Sequence, residues 1–177
     1  MLKAAIRSGE VVVFLENENL YGESFDISDA ALDKDYIVPI GKAKVMREGK
    51  HVSIVAYSRN VKYSLQAAEE LAKEGISCEV INLRTIKPLD RDAIVNSVKK
   101  TSRLVTVEDG FPQSGVGAEI AAIIHETDAF NYLDAPIERV TAMDVPMPYA
   151  KNLEENVVPG PASIIKAVKR SLRGVKL

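Results

Sequence analysis

The sequence predicts an α/β fold of three layers, a mostly parallel sheet with helices on both faces. Two observations lead there. From residue 41 to 177 strand-like and helix-like segments alternate, and strands separated by helices are joined in parallel and covered on both sides. The run Leu104-Val105-Thr106-Val107 is apolar enough for a buried strand, and a Gly115-Val116-Gly117 turn behind it opens the helical spacing of Ile120, Ile123 and Ile124.

In chain order, residues 2–7 read as the last turns of a helix and 11–15 as a fully buried strand. A buried parallel strand needs neighbours on both sides, and residues 1–10 supply none. Residues 17–40 run irregularly through Asn17-Glu18-Asn19, Tyr21-Gly22 and Pro39, as a linker does. Residues 1–25 are therefore expected to be the tail of a truncated preceding domain, 26–40 a linker, and 41–177 the α/β domain. Residues 51–57 are apolar and β-branched, a strand. Val61, Leu65, Ala68, Leu71 and Ala72 then recur at helical spacing, with Glu69 and Lys73 as an i,i+4 pair and Gly75 ending the helix. There follow strand 78–83, helix 90–100 with Asp90 as its N-cap, strand Leu104–Val107, helix 116–126, strand 137–141 and helix 162–172. The last helix gathers Lys166, Lys169, Arg170 and Arg173 toward its carboxyl end, where cations suit the dipole.

At 177 residues the chain is long enough to bury a stable core. Its 23 basic and 25 acidic residues leave a net charge of −2 without a block of like charges, which argues against nucleic acid as a partner. The single cysteine, Cys78, sits inside a strand-like run, so it is expected to pack rather than react, and it fits a reducing compartment. No apolar stretch approaches the ~20 residues that span a bilayer, so no membrane contact is expected. Residues 1–7 carry neither a signal-peptide core nor transit-peptide character.

In a parallel sheet the carboxyl ends of the strands share one edge. Ser58-Arg59-Asn60, Arg84-Thr85, Glu108-Asp109 and Met143-Asp144 all lie just past strand ends. Such charges could form an anion or substrate pocket, or a network joining this domain to another. With no histidine or activatable thiol nearby, the interface network is favoured, with Arg84, Glu108 and Asp144 as its members. Ser114-Gly115-Val116-Gly117-Ala118-Glu119 could hold a phosphate at a helix amino terminus, but the third glycine of a dinucleotide fingerprint is absent. Tight turning explains its glycines without a ligand. His51 and His125 lack partners at metal-ligand spacing. Asp144-Val145-Pro146-Met147-Pro148-Tyr149-Ala150 reads as a rigid extended loop suited to contact.

The run Ile81-Asn82-Leu83-Arg84-Thr85-Ile86-Lys87-Pro88-Leu89-Asp90 resembles the C-terminal domain shared by transketolase-like thiamine diphosphate enzymes. Longer segments narrow the resemblance: Ile40-Gly41-Lys42-Ala43-Lys44, Glu108-Asp109-Gly110-Phe111-Pro112-Gln113 with Gly115-Val116-Gly117-Ala118-Glu119, Tyr132-Leu133-Asp134-Ala135-Pro136, and the 144–150 loop. These are similar to the beta subunit of the decarboxylating component of the pyruvate dehydrogenase complex, in its mitochondrial form. The branched-chain 2-oxoacid homologue usually has Thr-Pro-Phe-Pro where this chain has Val145-Pro146-Met147-Pro148. Phe14-Leu15-Glu16-Asn17-Glu18 with Tyr21-Gly22 resembles the end of that subunit's pyrimidine-binding domain.

The resemblance implies a C-terminal half of an oxidoreductase subunit that converts pyruvate to acetyl-CoA and CO2 in the mitochondrial matrix. It implies that thiamine diphosphate and magnesium serve the full complex and are not bound by this chain alone. The catalytic glutamate and histidine of the family's amino-terminal domain have no counterparts here, so the chain alone is expected to be inactive. Implied partners are the alpha subunit, a second beta subunit, and the subunit-binding domain of the acyltransferase or of its binding-protein partner. The family's potassium loop falls at Ala5, Ile6, Ser8 and Glu10, with Ser8 and Glu10 replacing the usual Asp and Asn. Asp134, stiffened by Pro136, and the terminal carboxylate at Leu177 are the expected docking residues. A free-standing, non-catalytic assembly module and the branched-chain homologue are the alternatives.

Overall fold

The structure, a computed structural model, describes residues 1–174. Helix α1 (Leu2–Arg7) and a single-turn α2 (Asp29–Leu32) lie in the amino-terminal stretch. From residue 44 the order is β1 (Lys44–Arg47), β2 (Val52–Ala56), α3 (Asn60–Lys73), β3 (Cys78–Asn82), α4 (Arg91–Thr101), β4 (Leu104–Val107), α5 (Val116–His125), β5 (Glu138–Val140), α6 (Lys151–Val157) and α7 (Pro161–Ser171). The five strands form one sheet in the order β1-β3-β2-β4-β5. β2, β3, β4 and β5 are parallel, and β1 pairs antiparallel with β3 at the edge.

The central strands read as uninterrupted apolar runs because both their faces are covered. On one face Ile54, Ala56, Val80, Val105 and Val107 pack under Ala67, Ala68 and Leu71 of α3 and Ile164, Ala167 and Val168 of α7. On the other, Val55, Ile81 and Leu104 pack under Ile94 and Val98 of α4 and Ile120 and Ile124 of α5. The three-layer arrangement expected from the alternating pattern is thus present. Cys78 is fully buried in the first of these layers, and burial pushes its thiol up to about 12.

Three local expectations are corrected. Residues 11–15 form no strand: none of the described strands pairs with them, and Val11, Val13 and Leu15 stand 100%, 81% and 88% exposed. β1 was not foreseen, because an edge strand with three exposed residues and a register shift between Val45 and Arg47 carries no clean period. Lys73 pairs with Glu70, one position nearer than the expected Glu69. Asp90 does cap α4, accepting from the Ala93 N–H at 3.3 Å.

Candidate functional site

The sheet order reverses direction between β2 and β4. β2 leads through α3 to β3 on one side, and the chain returns through α4 to β4 on the other. Open α/β sheets take ligands in the crevice outside the carboxyl ends of the strands at this point. In this chain its own side chains fill the crevice. Arg59, just past β2, grips Asp109, just past β4, in a two-point fork: Nε to Oδ2 and a terminal nitrogen to Oδ1, both at 3.0 Å. The fork is 16% exposed on the arginine side and 33% on the aspartate, and a planar guanidinium matched to a carboxylate is a strong, directional pair. Tyr57 faces the same group. Burial first, and then the charges of Glu108 and Asp109, push its hydroxyl up to about 12, so the phenol stays protonated at any physiological pH.

Beneath the fork, Glu108 closes the glycine-rich turn. Its carboxylate, 1% exposed, accepts the Val116 N–H at 2.9 Å and the Gly117 N–H at 2.8 Å. These are orphan donors at the start of α5, where a negative charge also suits the dipole. The chain's own carboxylate therefore holds the position a phosphate would take. The glycines are what allow the approach. A Cβ on Gly117 would stand 2.6 Å from Thr106 Oγ1 and 2.8 Å from Glu108 Oε1, and one on Gly115 would stand 2.6 Å from Glu108 Oε1.

The edge is also conformationally costly. Ser58, Arg84 and Ser114 hold φ of 55°, 61° and 58°, in the left-handed region that side chains other than glycine enter at a cost of about 1 kcal/mol or more each. Among the described residues, three of the four non-glycine residues with such a φ lie at this edge, which makes it the candidate functional face. The structure does not, however, join Arg84, Glu108 and Asp144 into one network. Glu108 is turned inward onto α5, and among the described residues neither Arg84 nor Asp144 makes an ion pair. Arg84 lies close enough to the Met1 amino group for its charge, after burial, to lower that group's pKa. The pairing that does bridge the edge is Arg59–Asp109. Both residues were among the strand-end charges read from the sequence, but the sequence did not show which would meet.

Asp134 lies away from this edge, on the connection from α5 to β5. Its side chain is 57% exposed, and one oxygen is held by Arg103 at 3.1 Å. Beside it runs a shallow groove of about 750 Å³, lined by Ala118, Ala121, Phe130, Leu133, Pro136 and Ile137. Arg139, also on the groove, donates to the Pro112 carbonyl at 2.8 Å and so ties the groove wall to the glycine-rich loop. The other expected docking residue, Leu177, lies outside the described residues.

The turn at Ala5, Ile6, Ser8 and Glu10 ends α1 and satisfies itself. The Ser8 hydroxyl donates to the Ala5 carbonyl at 2.9 Å and accepts from the Glu10 N–H at 3.2 Å. The Ala5 oxygen is engaged and the Ile6 side chain is 75% exposed. The α5 terminus, filled by Glu108 and flanked by Asp109, does not fit the phosphates of a cofactor.

Comparison with known proteins identifies the domain. Residues 41–164 match the transketolase C-terminal domain, and the chain belongs to that family. It is similar to the beta subunits of mitochondrial pyruvate dehydrogenase E1 components. The beta-1 subunit of Arabidopsis thaliana is 62% identical over 97% of this chain and 47% of its own length. The Mus musculus subunit is 59% identical over 97% of this chain and 48% of its own, and that of Saccharomyces cerevisiae 60% over 97% and 47%. The chain spans about half the length of these relatives. Among solved structures, a split-gene transketolase described as an inactive beta4 tetramer aligns over 79% of this chain and 44% of its own, at 29% identity and a TM-score of 0.64.

Proposed function

We propose that this chain forms the C-terminal part of a mitochondrial pyruvate dehydrogenase beta subunit and serves assembly and docking. The parent enzyme would decarboxylate pyruvate with thiamine diphosphate and pass the acetyl group on toward acetyl-CoA in the matrix. The observation that carries the non-catalytic role is the filled crevice: the Arg59–Asp109 fork and the inward Glu108 occupy the place where this fold takes a ligand. Thiamine diphosphate and its magnesium therefore belong to the full complex with the alpha subunit.

Two surfaces remain for partners. The strained edge, with Arg84 and Asp144 on it and Glu108 supporting it from within, is proposed to meet the alpha subunit and the second beta subunit. The groove beside Asp134 is proposed to receive the subunit-binding domain of the acyltransferase or of its binding-protein partner. An exposed carboxylate on an apolar rim suits a basic partner that also buries a nonpolar side chain.

The test uses full-length beta subunit assembled with alpha. The heterotetramer should release CO2 from pyruvate in preference to branched-chain 2-oxoacids, and Arg84→Ala should lower its assembly or melting temperature. Asp134→Ala should weaken binding of the isolated subunit-binding domain about tenfold at low salt and less at moderate salt, as a screened ion pair requires. An unchanged dissociation constant at both salts removes Asp134 from docking. Loss of turnover in Arg84→Ala with assembly and melting intact would make the edge a substrate pocket instead.

A further inference from the structure

We propose that Arg103 is the positioning residue of the docking surface, a buried guanidinium that orients the Asp134 carboxylate and fixes the carboxyl end of α7 beside it. This rests on the reading that Asp134 docks a basic partner.

Arg103 follows α4 directly and is built to stay still. Ser102 ends the helix in the left-handed conformation, at φ 60°, turning the chain sharply into β4. The Arg103 carbonyl accepts from the Ser53 N–H at 2.9 Å and the Thr101 hydroxyl at 3.1 Å, so its backbone is pinned to the sheet. Its side chain, 12% exposed, uses two separate N–H groups. Nε donates to the Ser171 carbonyl at 3.1 Å, and a terminal nitrogen donates to Asp134 Oδ2 at 3.1 Å. The backbone of Asp134 is held by the same corner, its N–H donating to the Ser102 carbonyl at 2.9 Å.

The consequence is a carboxylate with one oxygen anchored. Asp134 Oδ1 takes no hydrogen bond from the described residues, and the side chain is 57% exposed. A partner's cation would meet an acceptor already fixed in direction, so less rotamer entropy is lost on binding. Arg103 also partly neutralises that acceptor, which weakens long-range attraction. Its contribution therefore belongs to the lifetime of the complex more than to the encounter rate. Only arginine suits the position, because a lysine ammonium cannot span the Ser171 carbonyl and the Asp134 carboxylate as a rigid fork does.

The test is a double-mutant cycle in full-length heterotetramers, with the isolated subunit-binding domain as ligand and rates measured at two salt concentrations. Arg103→Gln should raise the dissociation constant about tenfold, which is about 1.4 kcal/mol, chiefly through faster dissociation. Arg103→Lys should fall between wild type and Arg103→Gln, and it keeps the measurement possible if Arg103→Gln fails to assemble. Adding Asp134→Asn to either variant should cost less than it does in the wild type, because the anchoring of the carboxylate is already weakened or lost. Additive effects would overturn the proposal and reduce Arg103 to general stability. So would wild-type affinity in the Arg103 variants with Asp134→Asn alone still weakening binding; the docking reading would then stand without Arg103. If Asp134→Asn alone changes nothing, the docking reading falls and takes this proposal with it.

Discussion

Glu108 and Gly117 are nine positions apart in sequence, and each is explicable only through the other. A carboxylate 1% exposed must find donors, and the first turn of α5 offers two. It reaches them only because no Cβ stands at residue 117. Gly117→Ala would place a methyl 2.6 Å from Thr106 Oγ1 and 2.8 Å from Glu108 Oε1, both inside the core. Either the carboxylate leaves its donors or α5 shifts from the sheet, so the variant should lose roughly 2–4 kcal/mol of stability. Urea unfolding of wild type and variant measures this, and a loss under about 1 kcal/mol would show that the turn accommodates a side chain. The motif itself was legible in the sequence, since a Gly-x-Gly turn after a buried strand stands out. Its reason was not, because the distance from Glu108 to Gly117 is set by the closing of the loop. The same limit hid the Arg59–Asp109 fork, whose members lie fifty positions apart, and Arg103, whose partners Asp134 and Ser171 come from two later elements.

At the scale of elements, α4 is attached to the sheet by charge as well as by its apolar face. Glu79 on β3 points into the layer between them, where the Ser97 hydroxyl donates to it at 2.5 Å and Lys100 reaches its other oxygen. Lys100 also reaches Glu48 at 2.8 Å, beyond the end of β1. Glu48 first, then Glu79, holds the Lys100 ammonium above its usual range, and the Lys100 ammonium in turn holds Glu48 below its own. Lys100→Met keeps the stem but leaves the Glu79 carboxylate, with a side chain 2% exposed, without its cation. Removing one partner of a fully buried pair costs about 3–5 kcal/mol. Since Lys100 is 43% exposed, about 2–3 kcal/mol is expected, read as a lower denaturant midpoint at neutral pH. Removing the carboxylate as well, in Glu79→Gln/Lys100→Met, should recover part of the loss, and a double variant no better than the single would refute the account. Elements with a buried face were the ones legible in sequence. β2, β3, β4, α3, α4, α5 and α7 each carry a one-sided or fully apolar pattern. β1 and α6, exposed along most of their length, carry none and were missed.

At the scale of the whole chain, residues 1–40 and the α/β domain differ in how they are held. Of the first forty residues only Ala4 is buried. Their ties to the domain are few, among them the Lys62–Glu23 ion pair at 2.5 Å, and exposed pairs of this kind contribute about 1 kcal/mol or less. The domain has two apolar layers of its own, built from residues 43–172. Residues 11–15, Val-Val-Val-Phe-Leu, are the sharpest case, since a run this apolar is suited to the interior of a sheet and here it lies extended with no ladder on either side. We propose that in the full-length subunit this run is a central strand of the pyrimidine-binding domain, flanked on both edges. Amide hydrogen exchange distinguishes the two settings. In this chain, amides 11–15 should exchange at close to the rate of an unfolded peptide, while those of β2 and β4 exchange only through global opening. In full-length beta subunit assembled with alpha, amides 11–15 should slow by several orders of magnitude, because each N–H then has a strand partner. Rapid exchange at 11–15 in the assembled enzyme would mean that the run is not a strand of the preceding domain, and the division of the chain near residue 25 would have to be redrawn.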